Sequence, residues 1–350
     1  MQQIVFGKTG LKVGRTGFGC IPIQRVSYEE STALLQYACE RGITLYDTAN
    51  AYTTSEDRIG TALHHVRDKI VLCTKSGAST PEGVMEHIEN SLRKLRTNYI
   101  DVLQFHNPSF LPVPEGVDGL YDLAMKAKAQ GKIRHIGITA HSKDRARAAV
   151  LSGLYDTLQY PLSYLSTDEE LALIGLCREH NVGLLAMKGL CGGLLANARA
   201  AFAFLRQYDS VIPIWGMQKM SELEEFLSCE DEPPLLDNAL QSAINADKAE
   251  LSGSFCRCCG YCDPCPEGIP ISNAARITFL LRRMVKENFL TPEWQNNMRL
   301  IDNCTNCGHC KENCPYGLDV PALLKRQQAG YFRVLSAGTS SASPSPSHRR

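Results

Sequence analysis

After an opening hairpin punctuated by glycine, IVFGKTGLKVG, the chain alternates short apolar runs with longer stretches of helical period. Short apolar runs separated by amphipathic segments predict parallel strands joined by crossover helices. Eight runs qualify: residues 15–20, 44–47, 70–75, 99–106, 133–139, 156–160, 182–188 and 211–216. The segment SYEESTALLQYACERG shows how the helices are punctuated. Ser27 is expected as N-cap, Glu30 completes a capping box, and Gly42 marks the C-terminal stop. Eight strand and helix units in about 230 residues predict an α/β fold of the (β/α)8 type. An open doubly wound sheet would carry a G-x-G-x-x-G fingerprint after its first strand, and the sequence has none.

The alternation ends at a proline-rich break, SCEDEPPLLDN (228–238), because consecutive prolines cannot continue a helix. The sequence therefore predicts a barrel over 1–230, a linker with a small, mainly helical second domain over 231–330, and a disordered Ser/Pro/Ala-rich tail over 331–350. A chain of 350 residues also exceeds the usual size of a single core. Charge adds an exclusion: 37 basic residues balance 37 acidic ones along the chain, which leaves no footprint for nucleic acid or an anionic membrane. The start, MQQIVFGKTGLKVG, lacks the regions of a signal peptide, and no apolar run reaches bilayer length. A cytoplasmic protein is expected.

Cysteine placement changes the picture. Six of the 15 are scattered, while nine fall between Cys256 and Cys314. The six scattered ones read as small buried hydrophobes. The nine form an internal repeat, CRCCGYCDPCPEGIPI against CTNCGHCKENCPYGLDV, in which Cys256, Cys259 and Cys262 answer Cys304, Cys307 and Cys310. The second group is C-x2-C-x2-C-x3-C-P, ending at Cys314; the first has two residues before its last cysteine, Cys265, and Cys258 lies outside the repeat. Such spacing is an iron–sulfur signature, because tight C-x2-C turns let successive thiolates face one cluster. Zinc is the competing reading, and either metal could serve only to staple a small domain. The groups resemble those of bacterial two-cluster ferredoxins, in which the fourth cysteine serves the other cluster. The resemblance implies one [4Fe–4S] cluster on Cys256, Cys259, Cys262 and Cys314, and a second on Cys304, Cys307, Cys310 and Cys265.

In a barrel, chemistry belongs at the C-terminal ends of the strands. That rule selects Asp47 and, just beyond, Tyr52 after the second strand, Lys75 at the end of the third and His106 at the end of the fourth. The set is coherent for proton transfer at a carbonyl or carbinol oxygen. A phenol titrates near about 10, and a neighbouring Lys75 cation would make Tyr52 a better acid. Asp47 would hold the ammonium, and His106 would donate a hydrogen bond to the substrate oxygen.

The stretches GITLYDTANAYTTSEDRIGTAL, LCTKS, SLRKLRTNYIDVLQFH, IGIT and MKGLCGGLL resemble the aldo-keto reductase superfamily from the hairpin to about residue 228. With its cysteine module the whole chain resembles the bacterial ferredoxin-fused branch of that superfamily. The resemblance implies a barrel, the Asp–Tyr–Lys–His tetrad on Asp47, Tyr52, Lys75 and His106, and reversible hydride exchange between NADP or NAD and a small carbonyl or alcohol. It also implies cofactor contacts at Gly19, Thr139, Gln159, Lys188, Gly216, Gln218, Lys219 and Glu225. Where many members have Ser-Asn after strand five, this chain has Thr139-Ala140-His141; where many have a stacking tyrosine, it has Lys188. Lys219 leans the cofactor toward NADP. Hydride carries two electrons and a cluster one, so exchange between them needs a flavin or a redox partner protein that splits the pair. Two other functions fit the same residues: an electron-transfer or binding protein with the barrel as docking scaffold, and an ordinary NAD(P)H reductase with purely structural clusters.

Overall fold

The computed structural model describes residues 1–251, 255–283 and 285–339. By Cα proximity these form two compact units, Met1–Leu190 with Asn197–Ala246, and Cys191–Ala196 with the residues from Asp247 onward.

The first unit opens with an antiparallel hairpin, Gln3–Val5 (β1) and Lys12–Gly14 (β2). Eight strands then close a parallel barrel: Gly17–Gly19 (β3), Leu45–Asp47 (β4), Val71–Ser76 (β5), Ile100–His106 (β6), Ile133–Thr139 (β7), Thr157–Pro161 (β8), Gly183–Met187 (β9) and Val211–Gly216 (β10). Closure is between β10 and β3. Each predicted apolar run coincides with one of these strands, β5 and β8 ending one residue beyond theirs. Both strand faces are buried, as expected of a sheet enclosed by helices. Ser27 and Glu30 form the predicted capping box of helix Tyr28–Glu40, and Gly42 follows its end with a left-handed φ of 92°.

The hairpin packs at the N-terminal end of the barrel. Phe6 and Val13 join Leu45, Val71, Val102, Leu185 and Ile212 in one buried cluster. Gly7 makes this possible. Its φ is 53°, and a Cβ there would stand 2.2 Å from the Gly183 backbone nitrogen at the start of β9. Asp47, Lys75 and His106 lie at or near the opposite ends of their strands.

Two expectations need correction. The proline-rich break bends the chain without dividing it: helix Asn238–Glu250 follows, and the division between units falls at Ala246 instead of near residue 230. Prolines at 233 and 234 end a helix, but compactness is decided by which side chains pack together. Residues 331–339, expected within the disordered tail, instead continue helix Val320–Thr339. Tyr331 is fully buried there and its hydroxyl donates to the Phe289 carbonyl. The rest of the expected tail, 340–350, lies outside the described residues. Among the described residues no helix is long and apolar enough to cross a membrane.

Candidate active site and cluster-binding module

Asp47 ends β4 and Lys75 lies near the end of β5, so their side chains meet at the C-terminal end of neighbouring strands. Lys75 Nζ donates to Asp47 Oδ2 at 2.7 Å and to the Thr48 carbonyl at 2.5 Å. Both residues are at most 3% exposed. Asp47 also accepts from two amides: Gln104 Nε2 reaches Oδ1 at 3.1 Å and Gln159 Nε2 reaches Oδ2 at 3.3 Å. Burial draws Lys75 down, but Asp47 and Tyr52 outweigh it, and the ammonium is held above its ordinary range. For Asp47 burial prevails, raising the carboxyl against the pull of Lys75. With an ammonium and two amides donating to it, we take the carboxyl as ionised and the pair as ionic.

Tyr52 sits in the turn after β4, its ring centroid 5.2 Å from Lys75 Nζ and 5.9 Å from the His106 ring, which meets it nearly edge-on. The four residues predicted to act together are therefore neighbours. The phenol departs from expectation in one respect. Burial pushes its pKa up, and although Lys75 works in the opposite direction, the balance lies above the ordinary value. Tyr52 is accordingly a protonated phenol, with Lys75 limiting how far burial raises it.

His106, the last residue of β6, has its imidazole pushed down to about 3 by burial, with the Lys75 cation adding to the shift. It is neutral at ordinary pH and donates from one ring nitrogen. The unfolded chain takes up this proton below about 6.5, whereas the folded chain does not until about 3. Falling pH through that window therefore favours unfolding. His106→Gln is expected to lessen the loss of Tm between about pH 6 and 4, measured against the native chain. Identical slopes in the two proteins would refute the neutral assignment.

Most of the proposed cofactor positions lie at or just after the C-terminal ends of the strands. Gln159, on β8, turns its amide nitrogen to Asp47, while its Oε1 is buried without a hydrogen-bond partner among the described residues. Gln218 likewise has a buried Oε1 without a partner. Thr139 Oγ1, at the end of β7, accepts from the Asn107 amide, and Asn107 Oδ1 accepts from the His141 amide. Gly19 and Gly216 end the paired strands β3 and β10. Lys188 follows β9 with a left-handed φ of 60°. Lys219 and Glu225 are exposed at the start and in the middle of the last barrel helix. Sequence reasoning missed Glu222, whose carboxylate accepts from the backbone amides of Gln218 and Lys219. The Lys-x-x-Glu spacing at 219–222 was its signal, hidden because lysine is not an ordinary N-cap. It also missed Gln104, a polar residue inside the apolar run YIDVLQFH, two positions before His106.

The second unit repeats itself in backbone as well as in sequence. Cys258 and Asn306 are left-handed at φ 54° and 55°, Gly260 and Gly308 both at 85°, Gly268 and Gly317 at 67° and 62°. Each loop borders a cavity. Cys256, Cys259, Cys262 and Cys314 line one. Cys304, Cys307, Cys310 and Cys265 line another. The fourth thiol of each sequence group thus faces the cavity of the other group. Burial pushes Cys256 up to about 11 and Cys262 up to about 12. Metal binding there therefore requires release of thiol protons. Cys258 borders neither cavity, and its Sγ accepts from Arg276 Nη2 at 3.1 Å. Arg276 is itself buried and also donates to the Gly192 carbonyl of the same unit. Among the described residues no three His, Cys, Asp or Glu side chains are gathered so as to hold a single metal ion.

A barrel with this polar end and this attached module belongs to a defined class. A family model of the aldo/keto reductase family matches residues 3–203, more than half of the chain, and a model of the 4Fe-4S dicluster domain matches residues 255–319. The chain belongs to the aldo/keto reductase family of oxidoreductases and carries a C-terminal 4Fe-4S dicluster domain. Among its relatives, aldo-keto reductase YhdN of Bacillus subtilis is 28% identical over 56% of this chain and 64% of its own length. L-galactose dehydrogenase of Arabidopsis thaliana is 30% identical over 55% of this chain and 66% of its own length. The chain thus spans less than two thirds of either relative. Solved structures show the same fold. An aldo-keto reductase of Bacillus halodurans in its holo form superposes with a TM-score of 0.61 at 21% identity, over 71% of this chain and 96% of that one. One from Klebsiella pneumoniae, in complex with NADPH, gives 0.61 at 21% identity, over 70% and 94%.

Proposed function

We propose that the barrel interconverts small carbonyl compounds and alcohols with a nicotinamide cofactor, and that the cysteine module holds two [4Fe–4S] clusters that exchange electrons. The observation that carries the first half is the meeting of the Asp47–Lys75 ion pair with the rings of Tyr52 and His106 at adjoining strand ends. Tyr52 gives its phenolic proton to the carbonyl oxygen in reduction and takes it back in oxidation. Lys75 stabilises the phenolate left behind, and Asp47 keeps Lys75 charged and in place. Neutral His106 donates to the same substrate oxygen and orients it.

The residues fit a nicotinamide. Gln159 Oε1, without a partner among the described residues, is an acceptor for a carboxamide, and Gly19, Thr139, Lys188, Gly216, Gln218, Lys219 and Glu225 are assigned to the remainder of the cofactor. Lys219, with the NADPH held by the Klebsiella pneumoniae relative, favours NADP over NAD. The clusters fit two cavities, each lined by four thiols, with Cys256, Cys259, Cys262 and Cys314 around one and Cys304, Cys307, Cys310 and Cys265 around the other. When bound, the cofactor supplies hydride and the clusters supply single-electron storage.

The test is an anaerobically purified chain, analysed for iron and sulfide, given NADPH or NADH with a panel of aldehydes, ketones and alcohols. Cofactor oxidation by carbonyl substrates is expected, together with bleaching of the cluster absorbance once a flavin or redox partner is supplied. No turnover with any carbonyl or alcohol would remove the barrel reading. Turnover with an unbleached cluster under all conditions would make the clusters structural.

A further inference from the structure

Asp47 has an amide partner on the strand that carries His106. Gln104 lies two residues before His106 on β6, so the two-residue period of a strand puts both side chains on the same face. Its Nε2 donates to Asp47 Oδ1, while Oδ2 is shared by Lys75 and Gln159. A carboxylate only accepts, so the Gln104 amide must be turned with its nitrogen toward Asp47. Its Oε1 then points away, buried and without a hydrogen-bond partner among the described residues. The strand layer holds the stem as well. Gly137 on β7 is the register partner of Gln104 on one side and of Thr157 on the other. A Cβ at 137 would stand 3.0 Å from Gln104 Cγ and 2.2 Å from Thr157 Oγ1, so glycine leaves the room that Gln104 fills.

We propose that Gln104 is a positioning residue of the proton-transfer set, which keeps Asp47 ionised and thereby keeps Lys75 charged beside Tyr52. The inference rests on the tetrad reading given above. The titratable groups coupled to Asp47 are Lys75 and Cys73 on β5, Tyr52 after β4 and Cys20 after β3, and His106 on β6 lies beside Lys75 and Tyr52. Burial pushes the two thiols and the phenol up and the imidazole down, so all four are neutral at ordinary pH. Lys75 is the cation among them, and the two glutamine amides supply the remaining donors to the carboxylate. A buried carboxylate oxygen that loses its donor shifts toward the neutral acid. Lys75 would then be a buried ammonium without its counter-charge, a state that sheds its proton.

The test uses the complete, cluster-loaded chain. The infrared band of the protonated Asp47 carboxyl, assigned by its loss in Asp47→Asn, is followed against pH in the native protein and in the near-isosteric Gln104→Met. The band is expected to appear about one to two pH units higher in Gln104→Met, the size of one hydrogen bond to a charged group. The acid limb of 4-nitrobenzaldehyde reduction with NADPH should move with it, kcat changing more than the KM for NADPH. Gln104→Glu supplies a second check, because its side chain can donate only when protonated. Its rate is expected to rise as pH falls, against the native trend. An unmoved Asp47 band in Gln104→Met, beside an inactive Tyr52→Phe, overturns the inference and leaves the tetrad standing. An active Tyr52→Phe overturns the tetrad reading, whatever the Asp47 band does.

Discussion

Tyr52→Phe is expected to lower carbonyl reduction by at least 10²-fold and up to about 10⁴-fold, while the Kd for NADPH, read by fluorescence quenching, stays within a factor of about two. The substitution removes one hydroxyl and leaves the ring, so the edge-on contact with His106 and the approach of Lys75 Nζ to the ring are retained. What disappears is the only group of the four that can give a proton to the substrate oxygen at neutral pH. Lys75 is committed to Asp47 and the Thr48 carbonyl, and its ammonium is held above its ordinary range. His106 has its imidazole near 3 and holds its single proton as a hydrogen-bond donor. Activity within a few-fold of the native chain would end the assignment of Tyr52 as acid. An equal loss of cofactor binding would instead mark Tyr52 as a packing residue.

The candidate set was legible because Asp47, Lys75 and His106 lie at or near strand ends, with Tyr52 in the turn after β4, positions that follow from the alternation of apolar runs. The same period of two that locates His106 also places Gln104, yet a single polar residue in YIDVLQFH is outweighed by its apolar neighbours when the run is read as a strand. The balance at Tyr52 was not legible, because sequence identifies the neighbouring cation but not how completely the ring is enclosed. At the domain boundary the prolines were visible while the packing of helix Asn238–Glu250 was not. The extension of the last helix to Thr339 was obscured by a Ser- and Ala-rich composition that is compatible with helix once Tyr331 is buried. The cysteine module was the most legible part. Its repeat in sequence returns as a repeat in φ, because each left-handed position is tied to one place in the C-x2-C-x2-C turn.

That repeat gives the second large effect, loss of a whole cluster from a change of one sulfur. Cys314→Ser is expected to remove or convert the cluster bordered by Cys256, Cys259 and Cys262, because its thiol faces their cavity and not that of its neighbours Cys304, Cys307 and Cys310. Iron content should fall toward half, and low-temperature EPR of the reduced protein should lose the magnetic coupling between two centres and keep one signal. Cys258→Ser is expected to keep both clusters. Cys258 occupies the left-handed position that Asn306 fills in the other loop, so no ligand is demanded there, and its sulfur is turned to Arg276. Loss of a cluster in Cys258→Ser with both retained in Cys314→Ser would require the first site to be rebuilt around Cys258. Cys265→Ser supplies the reciprocal control: it should spare the cluster that Cys314→Ser destroys, since Cys265 lines the cavity of Cys304, Cys307 and Cys310. If both serine variants destroyed the same cluster, the crossed arrangement would be wrong even though eight cysteines were still needed. Barrel activity in the Cys314 variant then separates the two roles. Turnover unchanged with NADPH would show that hydride transfer at Tyr52 is independent of this cluster, whereas lost turnover with an intact barrel by circular dichroism would make the cluster part of the electron path.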